Sequence, residues 1–116
     1  MSGSAPRGIE VDGRRVALDA EGYLCRREDW TPAVAVQMAA GDGIDLTDSH
    51  WQVIDLLREY YAEYRITPPV RVLVRLLGER VGAEAGSSRY LYRLFPRGPG
   101  RQACRYAGLP KPTGCV

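Results

Sequence analysis

The chain ends in Cys104-Arg-Tyr-Ala-Gly-Leu-Pro-Lys-Pro-Thr-Gly-Cys115-Val116, with two thiols eleven positions apart and the second one penultimate. Gly108 marks a helix end, because a residue without Cβ enters the left-handed region at no steric cost. Pro110 and Pro112 cannot continue a helix and hold their neighbours extended. Cys104 therefore sits on a last helix and Cys115 near the tip of a thin arm. The seven residues after Leu109 reach roughly 23 Å when extended, at about 3.3 Å each. That is far enough to carry a thiol into another protein's cleft. Terminal tails are commonly unstructured, and cysteines are commonly small buried hydrophobes. An exposed terminal thiol is nevertheless an oxidation liability, which favours a chemical use for this one.

Upstream, Gly98-Pro99-Gly100 leads into that last helix, expected from Pro99 to Ala107. Gly86-Ser87-Ser88 caps a fourth helix through Tyr90, Leu91, Leu94 and Phe95, stopped by Pro96. Thr67-Pro68-Pro69 breaks the chain ahead of a third helix over 69–77. Its Val70, Leu73, Val74 and Leu77 point inward and Arg71 and Arg75 outward, and Gly78 and Gly82 loosen its end. The second helix, Asp48 to Tyr64, is the longest and is capped by Thr47. Trp51, Ile54, Leu56, Leu57, Tyr60 and Tyr64 recur on it at helical steps and mark the centre of the core. Arg58, Glu59 and Glu63 face water. Thr31-Pro32 opens the first helix, which Gly41 and Gly43 end. Before it, Ile9–Val11 and Arg14–Leu18 flank Asp12-Gly13, a hairpin dipeptide. A second turn at Glu21-Gly22 precedes a short third strand at Tyr23-Leu24. The expected fold is α+β: a small N-terminal hairpin or β-meander packed on an array of about five helices, with a projecting C-terminal arm. Its expected divisions are a disordered leader at 1–8, a domain at 9–108 and a flexible arm at 109–116.

With 116 residues, 45% of them hydrophobic and 26% charged, the chain is one ordinary globular domain. Its apolar runs fall short of the ~20 residues that span a bilayer, and its N-terminus lacks a signal-peptide pattern. The expected location is the cytoplasm, where stable disulfides are rare. Three cysteines fit no disulfide framework. No pair among Cys25, Cys104, Cys115 and His50 has metal-ligand spacing, so no metal is expected. His50, the single histidine, supplies no Ser-His-Asp set and reads as a surface or cap residue. Helices two and three, with Arg71 and Arg75 outward, offer a helix-turn-helix and hence a DNA partner. A net charge of only +2 speaks against it.

Thiol chemistry is the reading that remains. A thiolate is the nucleophile, and cations raise its fraction. Arg101, Arg105 and Lys111 are near in sequence and offset the terminal carboxylate beside Cys115. Of two thiols on such an arm, one accepts a sulfur atom and the other attacks to release it by closing a bridge. Closing a loop of about a dozen residues restricts the open chain by about 3 kcal/mol in the chain-entropy model. Cys25 is taken as an incidental or buried thiol.

Tyr90-Leu-Tyr-Arg-Leu-Phe-Pro96, Gly98-Pro99 and the run from Arg101 to Val116 closely resemble the DsrC/TusE family, which includes the so-called gamma subunit of dissimilatory sulfite reductase. Glu10-Val-Asp-Gly13, Glu21-Gly-Tyr-Leu24, Asp29-Trp30, His50-Trp51 and Leu57-Arg-Glu-Tyr-Tyr61 add to the resemblance. It implies a sulfur carrier that acts as a protein co-substrate, not a stand-alone enzyme, with no cofactor of its own. Cys115 matches the sulfur-accepting cysteine and Cys104 the bridge-closing one. The implied partners are the catalytic subunits of dissimilatory sulfite reductase, sulfurtransferase relay proteins and a membrane thiol–disulfide oxidoreductase complex. In the dissimilatory branch the arm takes sulfur derived from sulfite, held as a trisulfide, or, in sulfur oxidation, takes persulfide sulfur. The TusE branch keeps only the penultimate cysteine and relays persulfide toward tRNA 2-thiouridine. The presence of both cysteines makes a dissimilatory carrier the expectation. The tRNA relay and the DNA-binding regulator are the alternatives.

Overall fold

The computed structural model describes residues 7–112. The first six residues of the expected leader and the last four of the expected arm, Cys115 among them, lie outside the described residues.

Strands β1 (Arg7–Val11) and β2 (Arg14–Leu18) form an antiparallel hairpin in which Ile9 faces Val16 and Val11 faces Arg14. Asp12 and Gly13 both have positive φ, 51° and 78°, as the tight turn between twisted strands requires. The expected third strand is only an isolated bridge between Leu18 and Leu24. The Asp19 carboxylate accepts the Glu21 and Tyr23 amides at 2.9 and 3.0 Å. That curls the chain too tightly to run on as a strand. A 3₁₀ turn at Arg27–Asp29 follows.

Helix α1 (Pro32–Gly41) starts as expected, with Thr31 Oγ1 accepting the Val34 amide at 3.2 Å. Helix α2 (Asp48–Tyr64) starts at a capping box whose return donor is the Thr47 amide and whose acceptor is His50 Nδ1. His50 is thus a cap residue, and a buried one: its Nε2 donates to the Leu94 carbonyl at 2.9 Å, and its ring meets Phe95 edge-on. Val53, Ile54, Leu56 and Leu57 of α2 are buried in the core. Two expectations on α2 change. Tyr64 is more than half exposed, because the core ends a turn before the helix does. Arg58 is drawn inward instead of facing water.

Helix α3 (Val70–Arg80) runs past Gly78. That glycine does not loosen the helix; it lets another backbone approach. A Cβ on Gly86 would lie 2.8 Å from the Gly78 Cα. Helix α4 (Ser88–Leu94) is capped by Ser87 Oγ, which accepts the Tyr90 amide at 3.1 Å. Helix α5 (Pro99–Tyr106) packs against α1, α2 and α4. Phe95 and Tyr106 are fully buried where these elements meet. Among the described residues no helix is long and apolar enough to cross a membrane.

Candidate functional site

Cys104 lies in the last turns of α5 and is 1% exposed. The helix carrying it is held by a polar cluster on its inner face. Tyr106 donates its hydroxyl to Asp42 Oδ2 at 2.6 Å, Arg105 reaches the same oxygen at 3.0 Å, and Gln102 donates to the Tyr106 hydroxyl at 2.8 Å. Burial pushes the Asp42 carboxyl up, but the Tyr106 hydrogen bond and the Arg105 charge outweigh it and hold the group below the usual carboxylate range. Burial, then the bond to Asp42, raises the Tyr106 phenol above its ordinary value. On the outer side Tyr23 donates to the Arg101 carbonyl at 3.4 Å. Its phenol is pushed up to about 12, by burial first and then by the negative charge that Cys104 can carry.

The end of α5 is locked just past Cys104. Gly108 has φ 72°. Its amide donates to the Arg105 carbonyl at 3.1 Å and the Leu109 amide to the Cys104 carbonyl at 3.0 Å, a Schellman closure with Leu109 buried. Trp30 Nε1 donates to the Tyr106 carbonyl at 2.7 Å, and Arg58 donates to the Ala107 carbonyl at 2.8 Å. The Arg58 guanidinium stacks 3.7 Å over the Trp30 ring. Trp30 also lies so close to Gly108 that no Cβ fits there. The four carbonyls that a helix end leaves open, those of Cys104, Arg105, Tyr106 and Ala107, are thereby satisfied.

After Gly108 the chain turns back along α5. Lys111 pairs with Glu21 at 2.8 Å. Pro112 is buried, 3.9 Å from where a Gly100 Cβ would stand. The described part of the expected arm thus lies on the body as far as the first turn of α5.

The supporting cations sit as follows. Arg105 is committed to Asp42 and to the Gly22 carbonyl at 3.3 Å. Lys111 is committed to Glu21. Arg101 is exposed and, with Arg97, Arg105, Gln102, Tyr23 and Glu21, lines a cleft of about 140 Å³. A larger cleft, about 450 Å³, lies between the Tyr23–Glu28 segment and Pro110–Lys111. Cys25 lines it and is exposed; the alternative of a buried thiol is thereby corrected. The expected Cys115 lies outside the described residues. No group of three or more potential metal-ligating side chains occurs among the described residues.

Arg71 and Arg75 are exposed, as expected. Arg75 shares its groove with Glu59 and Glu63, so the field there is mixed. Sequence reading missed Trp30, Arg58 and Asp42, the residues that fix the Cys104 helix. The signal for Asp42 was faint, a lone carboxylate between Gly41 and Gly43.

A family profile described as "DsrC like protein" matches residues 10–116. The chain is 47% identical over 105 residues to the sulfurtransferase TusE of Salmonella typhimurium, covering 90% of this chain and 96% of that protein. It superposes on the solution structure of Allochromatium vinosum DsrC with a TM-score of 0.88 at 57% identity, covering 97% and 100% of the two chains. It also superposes on the oxidised gamma subunit of the dissimilatory sulfite reductase, DsrC, of Archaeoglobus fulgidus, with a TM-score of 0.86 at 43% identity, covering 95% and 100%. With this fold, this matched length and these identities, the chain belongs to the DsrC/TusE family of sulfur-carrier proteins.

Proposed function

We propose that the chain carries sulfur on Cys115 and discharges it through Cys104. The observation that supports this reading is the course of the chain after Gly108. It leads back to Gly100, four residues before Cys104 on α5, or about 6 Å along the helix axis. Cys115 is three residues beyond Pro112, a tether of up to about 10 Å. The arm thiol is therefore within reach of a thiol fixed on a locked helix. Loading is attack by the Cys115 thiolate on the outer sulfur of a donor persulfide, which leaves as a thiolate. Discharge is attack by the Cys104 thiolate on Cys115 Sγ. The Cys104–Cys115 bond forms, the persulfide bond breaks, and hydrosulfide leaves with the electron pair. Because Cys104 is buried, discharge requires local opening, which keeps it from running ahead of loading.

The sulfurtransferase name of the curated relatives supports a TusE-type persulfide relay toward tRNA 2-thiouridine better than the dissimilatory expectation. The partners are then sulfurtransferase relay proteins, and the setting is the cytoplasm. The dissimilatory reading has an observation of its own, Cys104 itself, together with the 57% identity to Allochromatium vinosum DsrC. In that version the sulfur comes from sulfite on the reductase, whose sirohaem does the chemistry. A membrane thiol–disulfide oxidoreductase then reduces the trisulfide. The test is loading by a persulfide donor followed by mass spectrometry. Cys115→Ala should gain no sulfur on the arm, whereas Cys104→Ala should load and fail to discharge. Loading of Cys115→Ala at the parent level contradicts the proposal. A Cys104→Ala chain that still supports full tRNA thiolation favours the relay branch.

A further inference from the structure

We propose that the outer face of α4 and the start of α5, carrying Arg89, Tyr92, Arg93, Arg97 and Arg101, is a binding surface for RNA with unpaired bases. The inference rests on the relay reading above and names where the RNA that receives the sulfur is held. The distribution of charge carries it. Six of the chain's 16 basic side chains and none of its 14 acidic ones lie beyond Glu84. The net charge of +2 is therefore +6 beyond Glu84 and −4 up to it. Within the basic part, Arg105 is paired with Asp42 and Lys111 with Glu21, and Arg97 also acts on Asp42. Arg89, Arg93 and Arg101 are in no ion pair among the described residues. These three and Arg97 are all exposed.

The fold puts these residues in sequence along the surface. Helix α4 buries Leu91 and half-buries Tyr90 and Leu94. That leaves Arg89, Tyr92 and Arg93 on its outer face, the two arginines about 6 Å apart along the axis. Arg97 follows at the turn into α5, and Arg97 and Arg101 line one cleft. Nucleic acid and an acidic protein segment both match such a row of guanidiniums. Tyr92 decides between them. It is 51% exposed among the arginines, and a base stacks on such a ring whatever its identity. Phosphates accept from the arginine forks while staying solvated. An acidic protein must instead bury a carboxylate for each arginine it covers. Stacking needs unpaired bases, which RNA loops present and a duplex does not. Helix α3 offers no equal field, since Arg75 shares its groove with Glu59 and Glu63. An RNA strand on the proposed face runs onto the helix that carries Cys104.

The experiment is fluorescence anisotropy of a labelled, unmodified tRNA transcript titrated with the full, reduced chain at several salt concentrations. Log affinity should fall with log salt at a slope of about 3, as four phosphate contacts give. Arg89→Gln/Arg93→Gln should weaken binding about tenfold at low salt and roughly halve that slope. Tyr92→Ala should weaken binding about tenfold with the slope unchanged. Arg71→Gln/Arg75→Gln removes the same charge from α3 and should bind within about twofold of the parent. Equal losses in the two arginine pairs overturn the proposal, because net charge alone then binds. Parental affinity in Arg89→Gln/Arg93→Gln or in Tyr92→Ala overturns it, as does a parent that does not bind. Displacement of the tRNA by duplex DNA or by poly-glutamate at equal charge also overturns it; with poly-glutamate, the face belongs to an acidic segment of a protein. No sulfur donor is present, so a failure here is distinct from a failure of Cys115 to load.

Discussion

Gly108 is the residue on which the arm depends. Its φ of 72° is strained for any side chain, and Trp30 fills the space a Cβ needs. Gly108→Ala should therefore cost about 2–5 kcal/mol, combining backbone strain with overpacking, read as a lowered urea midpoint with unchanged slope. Asp42 gives a pH signature. Its folded pKa lies below the ordinary value, so the stability it contributes is present above the unfolded pKa of about 3.9. That stability is lost as pH falls through the depressed folded value. Asp42→Asn should flatten this acid limb of a stability-versus-pH curve while leaving its shape above pH 5 unchanged. An acid limb that persists in the variant assigns the loss to other carboxylates. At this scale the sequence showed stops and caps well. Thr31, Ser87 and Gly108 act within three or four residues, where spacing is informative. It did not show Arg58, which looked like a solvent-facing position because its partners, Trp30 and Ala107, are 28 and 49 positions away.

Helix α5 acts as a mount for Cys104. Its inner face is tied by Asp42 and its end by Trp30 and Arg58, so the buried thiol is held on a fixed element while the chain beyond Gly108 turns back. Arg58→Ala removes the donor to the Ala107 carbonyl and uncovers the Trp30 ring, at a cost of about 1–3 kcal/mol. The local readout is hydrogen exchange. The Gly108 and Leu109 amides should exchange faster in the variant, while amides in the middle of α2 should change only with global stability. Equal acceleration everywhere would mean that Arg58 supports the whole fold and not the helix end. The close approach at Gly78 and Gly86 is a second element-scale feature. Gly86→Ala drives a Cβ to 2.8 Å from backbone, so it should lower the melting temperature by several degrees, about 1–3 kcal/mol. A glycine inside a helix reads from sequence as a weak point, because a crossing partner eight residues on leaves no local trace. That is why the expected end of α3 fell short.

For the whole molecule, the hairpin and five helices build one core, and Cys104 is part of it. In the proposed cycle its partner is Cys115. The α+β architecture and the helix order were legible because amphipathic spacing and capping residues agree along most of the chain. The pairing of distant segments was not, since Trp30 meets Tyr106 across 76 positions. The placement of Cys104 on the last helix was legible from the Gly108 stop, but its burial was not, because the side chains that cover it come from distant segments. The direct test is a single turnover of the intact chain. The chain is loaded from a persulfide donor, freed of donor, and followed by intact mass and peptide mapping with hydrosulfide measured in parallel. The expected result is one added sulfur on Cys115, then its loss as a Cys104–Cys115 bridge appears, with one hydrosulfide released per bridge. Sulfur gained on Cys25 or Cys104 but not on Cys115, or loss of sulfur without the bridge, would contradict it.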